Sequence, residues 1–112
     1  MTTDADPLLE VSFAAHIIEW RGPAPFFFAP IPDEHAADFR QAARIATYGW
    51  GVVPVDAEIG AVTFTTSLFP RGETYLLPIK VAVRRKAQVT AGDLITARLT
   101  IRRPERNDWP LG

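Results

Sequence analysis

The sequence predicts a mainly β domain, a small barrel or sandwich, on three observations. Short stretches alternate between apolar and polar residues. Ten prolines and seven glycines break the chain between those stretches, the punctuation expected of strands joined by turns. Only one segment carries a sustained helical period. The 112 residues suit a single domain. Such a chain buries about 65% of its unfolded surface and needs no disulfide or metal to fold.

Residues 1–7 are polar and acidic. They predict a flexible N-terminus without the basic and apolar regions of a signal peptide. Residues 8–18 alternate, with Leu9, Val11, Phe13, Ala15 and Ile17 facing one way and Glu10, Ser12, Ala14 and His16 the other. That is a half-buried strand. Arg21-Gly22-Pro23 signals a turn, and Phe26-Phe27-Phe28-Ala29, short and aromatic, predicts a strand. Asp33 is placed to cap a helix over 34–46, with Glu34 near its positive end. Ala36, Phe39 and Ala43 share one face of it, and Tyr48-Gly49-Trp50-Gly51 ends it. A second long strand covers 52–59, and Pro54 puts it near an edge or a bulge. Gly60 turns the chain into a strand over 62–68. Pro70-Arg71-Gly72-Glu73 forms a hairpin-like loop into a strand over 74–79. Residues 80–87 predict a short helical turn, and Gly92-Asp93 leads into the last strand, 94–102. There Ile95, Ala97, Leu99 and Ile101 point inward. The domain therefore spans 8–103, and 104–112 reads as a loose tail.

Composition excludes several chemistries. With no cysteine there is no disulfide, thiolate zinc site or cysteine nucleophile. His16 and His35 lack any ligand spacing and read as surface residues, so no metal is expected. Ser12 and Ser67 lie outside any nucleophile elbow, and Ser67 reads as a strand-end hydroxyl bonding to backbone. The pairs Asp33/Glu34 and Asp56/Glu58 read as surface charge. No glycine-rich phosphate loop is present. The sequence thus predicts no catalytic constellation and no cofactor. No apolar run approaches the length of a membrane span.

Charge is split along the chain. Residues 1–70 hold three arginines and nine acidic residues, and residues 71–112 hold nine basic and four acidic ones. Lys80, Arg84, Arg85 and Lys86 are the densest positive cluster, while Arg98 and Arg102 share the outward face of the last strand. Side by side they would form a basic groove for phosphates or a small anion. The competing expectation is that they pair with the acidic first half. Trp20 and Trp50 flank turns, and with Ser67 and Phe69 they are candidates for a pocket rim. Their competing role is packing.

The two halves echo each other in order. Phe28-Ala29-Pro30-Ile31-Pro32 enters a helical segment, a glycine turn and an alternating strand, and so does Leu76-Leu77-Pro78-Ile79-Lys80. This predicts an internal duplication in which two halves close one barrel and remove its exposed edges. Gly22-Pro23-Ala24, Thr66-Ser67-Leu68-Phe69-Pro70, Tyr75-Leu76-Leu77-Pro78-Ile79-Lys80, Val83-Arg84-Arg85-Lys86-Ala87 and Gly92-Asp93-Leu94-Ile95 together resemble the bacterial family DUF1905. The resemblance covers about residues 10–101. It implies a double-split β-barrel made by duplication and capped by one main and one short helix. It implies no activity and no catalytic residues. Pro78, Arg84-Arg85-Lys86 and Gly92-Asp93 also resemble the swapped-hairpin DNA-binding domains of bacterial transition-state regulators and antitoxins. Here, though, one chain carries both halves, and Asp33, Glu34 and Asp38 stand where a basic face would be wanted.

The expected function is a non-catalytic module for a small ligand or a protein partner, cytoplasmic, and a monomer or weak homodimer. The alternative is a nucleic-acid-binding domain using segment 80–102. A small hydrolase-type enzyme using Ser67, Asp93 or a histidine ranks third.

Overall fold

The computed structural model describes residues 7–22, 26–46 and 53–102. The expectations for 1–6, for the turns that include Pro23 and Trp50, and for the tail 104–112 fall outside the described residues. Within them, seven strands form one curled antiparallel sheet. They are β1 (Leu9–His16), β2 (Ile18–Trp20), β3 (Phe26–Pro30), β4 (Val53–Ile59), β5 (Val62–Arg71), β6 (Thr74–Pro78) and β7 (Leu94–Ile101). The helices are α1 (Ala36–Ala46) and α2 (Val81–Ala87). The strand order is β1-β7-β4-β5-β6-β3-β2.

Alternation sets which face is buried. On β4 the buried residues are Val53, Val55, Ala57 and Ile59, and on β7 they are Ile95, Ala97, Leu99 and Ile101. These fill the interior with Phe13, Leu68, Leu77 and Ile79. Each large apolar side chain removed from water stabilises the fold by roughly 1.5–3 kcal/mol. No polar residue is buried among the described residues. The hairpins β4–β5 and β5–β6 are closed by two-residue turns, since Ile59 pairs with Val62 and Arg71 with Thr74. The first turn residue is Gly60 in one and Gly72 in the other, at φ of +60° and +59°. A side chain there would be strained, which is why glycine opens both turns.

Two segments of the chain join the two parts of the sheet. β5 pairs with β4 through residues 62–68 and with β6 through 69–71. The segment 8–18, expected as one strand, is instead divided between β1, which pairs with β7, and β2, which pairs with β3. Ile17 lies between them. Its N–H donates to the Asp93 carbonyl at 2.9 Å, and its carbonyl accepts from Gly92 N–H at 2.8 Å. These bonds satisfy the backbone while the chain leaves β7 for β3.

Asp33 does not cap α1. Pro32 holds the position before a 3₁₀ turn, Asp33–His35, without a side-chain cap bond, and the α-helix starts at Ala36. Proline's fixed φ favours that tight entry. Pro54 sits in an interior strand, but β7 pairs only with Asp56–Ile59 of β4. Among the described residues, β4 is therefore locally an edge beside Pro54, where a missing donor is tolerated. α1 buries Ala36, Phe39, Ala42 and Ala43, with Phe39 against Tyr75 at 6.4 Å between ring centroids. α2 buries only Val83. It covers its side of the sheet thinly and leaves a cleft open beside it. No helix among the described residues is long and apolar enough to cross a membrane.

Candidate functional site

That cleft, of about 510 Å³, lies between β3, β5 and the start of α2. Phe26, Phe27, Phe28 and Phe69 line it, together with Thr66, Ser67, Lys80 and Arg84. The backbone fixes these parts. Pro78 ends β6 opposite Phe28, and Ile79 N–H then donates to the Phe27 carbonyl at 2.8 Å, extending the ladder by one bond. Helix α2 begins at once, with Arg84 N–H on the Lys80 carbonyl at 2.9 Å. One turn into the helix, the Arg84 guanidinium carbon lies 3.6 Å from the centroid of the Phe27 ring. Its Nη1 donates to the Ile79 carbonyl at 3.3 Å. Such a cation–π contact contributes about 0.5–2 kcal/mol, depending on how far it is desolvated. Here it also orients the guanidinium plane.

Among the described residues, three arginines stand in ion pairs. Arg98 lies 3.5 Å from Glu10 and 3.4 Å from Glu58, Arg102 lies 2.6 Å from Asp56, and Arg40 lies 3.5 Å from Glu73. Cross-strand register explains the first three pairs. Thr100 stands between Glu10 of β1 and Asp56 of β4, and Arg98 between Ser12 and Glu58. Among the described residues, no carboxylate lies within 4 Å of Lys80, Arg84, Arg85 or Lys86.

Of the residues singled out in the sequence, Lys80, Arg84, Ser67 and Phe69 meet at the cleft. Arg85 and Lys86 are exposed in the last turn of α2, where cations offset the negative end of a helix. Arg98 and Arg102 line a separate depression with Asp56 and Glu58, which shares no lining residue with the aromatic cleft. Trp20 is 62% exposed and lines an adjoining apolar cleft of about 480 Å³ that shares Phe28 and Phe69 with the first. A row of rings joins them, with centroid separations of 6.4 Å for Trp20–Phe26 and 6.3 Å for both Phe26–Phe28 and Phe28–Phe69. Trp50 lies outside the described residues.

Neither histidine lines the cleft. His16 Nδ1 lies 3.2 Å from the Gly92 carbonyl, and His35 lies 3.3 Å from Glu34. Asp93 accepts from Thr90 N–H at 2.8 Å and so shapes the turn before β7. No group of three or more potential metal ligands occurs among the described residues.

Sequence reasoning passed over Phe26, Phe27, Thr66 and Val81 as site residues. The signal was available in the phenylalanines. Successive strand side chains point to opposite faces, so three in a row cannot all enter one core.

A family model described as a domain of unknown function, DUF1905, matches residues 13–99, which is 87 of the 112. The chain belongs to the DUF1905 family. The match opens on Phe13 in β1 and closes on Leu99 in β7, two strands paired with each other. One course around the DUF1905 sheet is thus included, and with it every residue lining the aromatic cleft. The comparison with curated proteins finds no match for this DUF1905 chain.

Proposed function

We propose that this DUF1905 domain is a non-catalytic binding module and that the cleft between β3, β5 and α2 holds a small ligand. One observation carries the reading: Lys80 and Arg84 line an aromatic cleft and, among the described residues, have no carboxylate partner within 4 Å. A cleft of about 510 Å³ with apolar walls and few polar groups fits the usual small-molecule site, roughly 300–1,000 Å³. Amide correlation spectra recorded with a library of small fragments test it. Binders should shift the amides of Phe27, Ser67 and Arg84. Shifts confined to other surfaces refute the assignment, and a turnover abolished by Ser67→Ala refutes the non-catalytic role.

The exposed Arg85 and Lys86 beside this cleft favour a second reading, nucleic-acid binding. Anisotropy with labelled duplex DNA at about 50 and about 200 mM salt separates it, because phosphate contacts weaken steeply over that range. Absence of binding at the lower salt removes it.

The finer architecture on this reading is a double-split barrel built by duplication. The two edges of the sheet, β1 and β2, follow each other in the chain with only Ile17 between them, which supports closure. Element order supports the duplication. β3, α1 and β4 are followed by β6, α2 and β7, and a shift of 48 residues sets Pro30-Ile31, before α1, on Pro78-Ile79, before α2. The domain so formed spans 8–103, works in a bacterial cytoplasm, as the lack of cysteine favours, and is a monomer or weak homodimer. Light scattering on the purified chain tests the last point.

A further inference from the structure

We infer that the cleft takes a small aromatic acid, a flat apolar body carrying one carboxylate or phosphate group. This rests on the cleft being the ligand site and on the duplicated architecture. The two halves then supply an internal comparison. The shift of 48 residues sets Lys80 against Pro32, Arg84 against Ala36 and Phe27 against Tyr75. In the α1 half the ring at this position, Tyr75, is buried and covered by Phe39. The cation nearby, Arg40, donates to the Glu73 carbonyl at 2.8 Å and pairs with the Glu73 carboxylate. In the α2 half the equivalent ring is covered by the Arg84 guanidinium, with no carboxylate near it among the described residues. Both halves leave a cleft at this position, of about 860 Å³ beside α1 and about 510 Å³ beside α2. The first mixes Asp33 and Glu73 with Arg40 and Arg71, whereas the second carries Lys80 and Arg84 with no acidic residue among the described ones.

The chemistry of the cationic copy selects the ligand. A guanidinium carries five N–H donors in a fixed plane. Arg84 directs one at the Ile79 carbonyl, its guanidinium carbon sits over the Phe27 ring, and its other donors, which have no partner among the described residues, can meet an anion. Lys80 adds a second positive group, and Thr66 and Ser67 are the other polar residues lining the cleft. No acidic residue among the described ones lines the cleft, so a cationic ligand finds no carboxylate there to offset the charge of Lys80 and Arg84. The apolar requirement comes from Phe26 and Phe69, which are 52% and 44% exposed. Ring faces standing in water at a cleft are covered best by another flat ring. Carboxylate and phosphate both suit the guanidinium fork.

Calorimetry on the full chain tests this with naphthoate, naphthyl phosphate, the neutral naphthalenemethanol and the cationic naphthylmethylamine. At least one acid should bind roughly tenfold or more tightly than the alcohol, the scale of one hydrogen bond to a charged group. The tighter acid identifies the anionic group. That preference should vanish in Arg84→Gln, with folding checked by circular dichroism, and persist in Arg98→Gln. Equal affinity for acid and alcohol, with Phe27 and Ser67 amides shifting, overturns the ligand class and leaves the site intact. An acid preference that survives Arg84→Gln also overturns it. No binding by any of the four up to about 10 mM, the limit of a weak millimolar complex, overturns both the class and the site.

Discussion

Leu99 and Arg98 are neighbours on β7 that face opposite sides of the sheet, and truncating each in turn tests the packing from which the cleft is built. Leu99 is fully buried and lies between Val11 of β1 and Ala57 of β4. Leu99→Ala removes side-chain carbon worth about 0.8 kcal/mol per methylene. The strands on either side are held by backbone pairing, so the space cannot collapse, and a cavity term adds to the loss. The expected cost is about 3 kcal/mol, within the roughly 2–5 kcal/mol seen for buried leucines. That is a large share of the roughly 5–15 kcal/mol typical of a domain. Arg98 has a side chain 55% exposed beside Glu10 and Glu58. Pairs this open contribute roughly 0–1 kcal/mol, so Arg98→Ala should cost less than about 1 kcal/mol. Urea unfolding followed by circular dichroism reads both. Equal costs, or a Leu99→Ala cost under about 1 kcal/mol, would refute the alternation and register of β7.

Three further substitutions probe other parts of the chain. Gly72 opens a hairpin at φ +59°, and nothing lies within 4 Å of where an added methyl group would stand. Gly72→Ala should therefore destabilise by about 1 kcal/mol through backbone strain alone, read as a lower urea midpoint. Thr74 Oγ1 donates to the Ile31 carbonyl at 2.9 Å, and Thr74→Val should cost about 1 kcal/mol for that bond in the same assay. Phe27→Leu keeps an apolar wall but removes the ring beneath Arg84. It should weaken naphthoate or naphthyl phosphate binding several-fold, the scale of a cation–π contact, with calorimetry as the check.

Local pattern made much of the fold legible. The inward residues of β4 and β7 and the buried face of α1 follow from periods of 2 and 3.6 residues, which a single segment carries by itself. The order of strands does not. Nothing local to residues 8–18 announces that Ile17 breaks the strand, because the break answers to Gly92 and Asp93 at the other end of the chain. Nor does the sequence say that β5 divides its pairing between β4 and β6. The candidate site divides along the same line. Lys80, Arg84, Ser67 and Phe69 stand out as residue types, but which cations are matched depends on register. Arg98 meets Glu10 and Glu58 only because β7 lies between β1 and β4. Arg84 meets Phe27 only because β3 pairs with β6 immediately before α2.

The most direct test of the cleft as a ligand site is a crystal structure of the full chain soaked with bromobenzoate, located by the anomalous signal of its bromine. A ligand held as proposed places its carboxylate on the Arg84 guanidinium and its brominated ring between Phe26 and Phe69. Bromine bound only at the Arg98–Arg102 depression, or at no site on the chain, would contradict the cleft as the binding site.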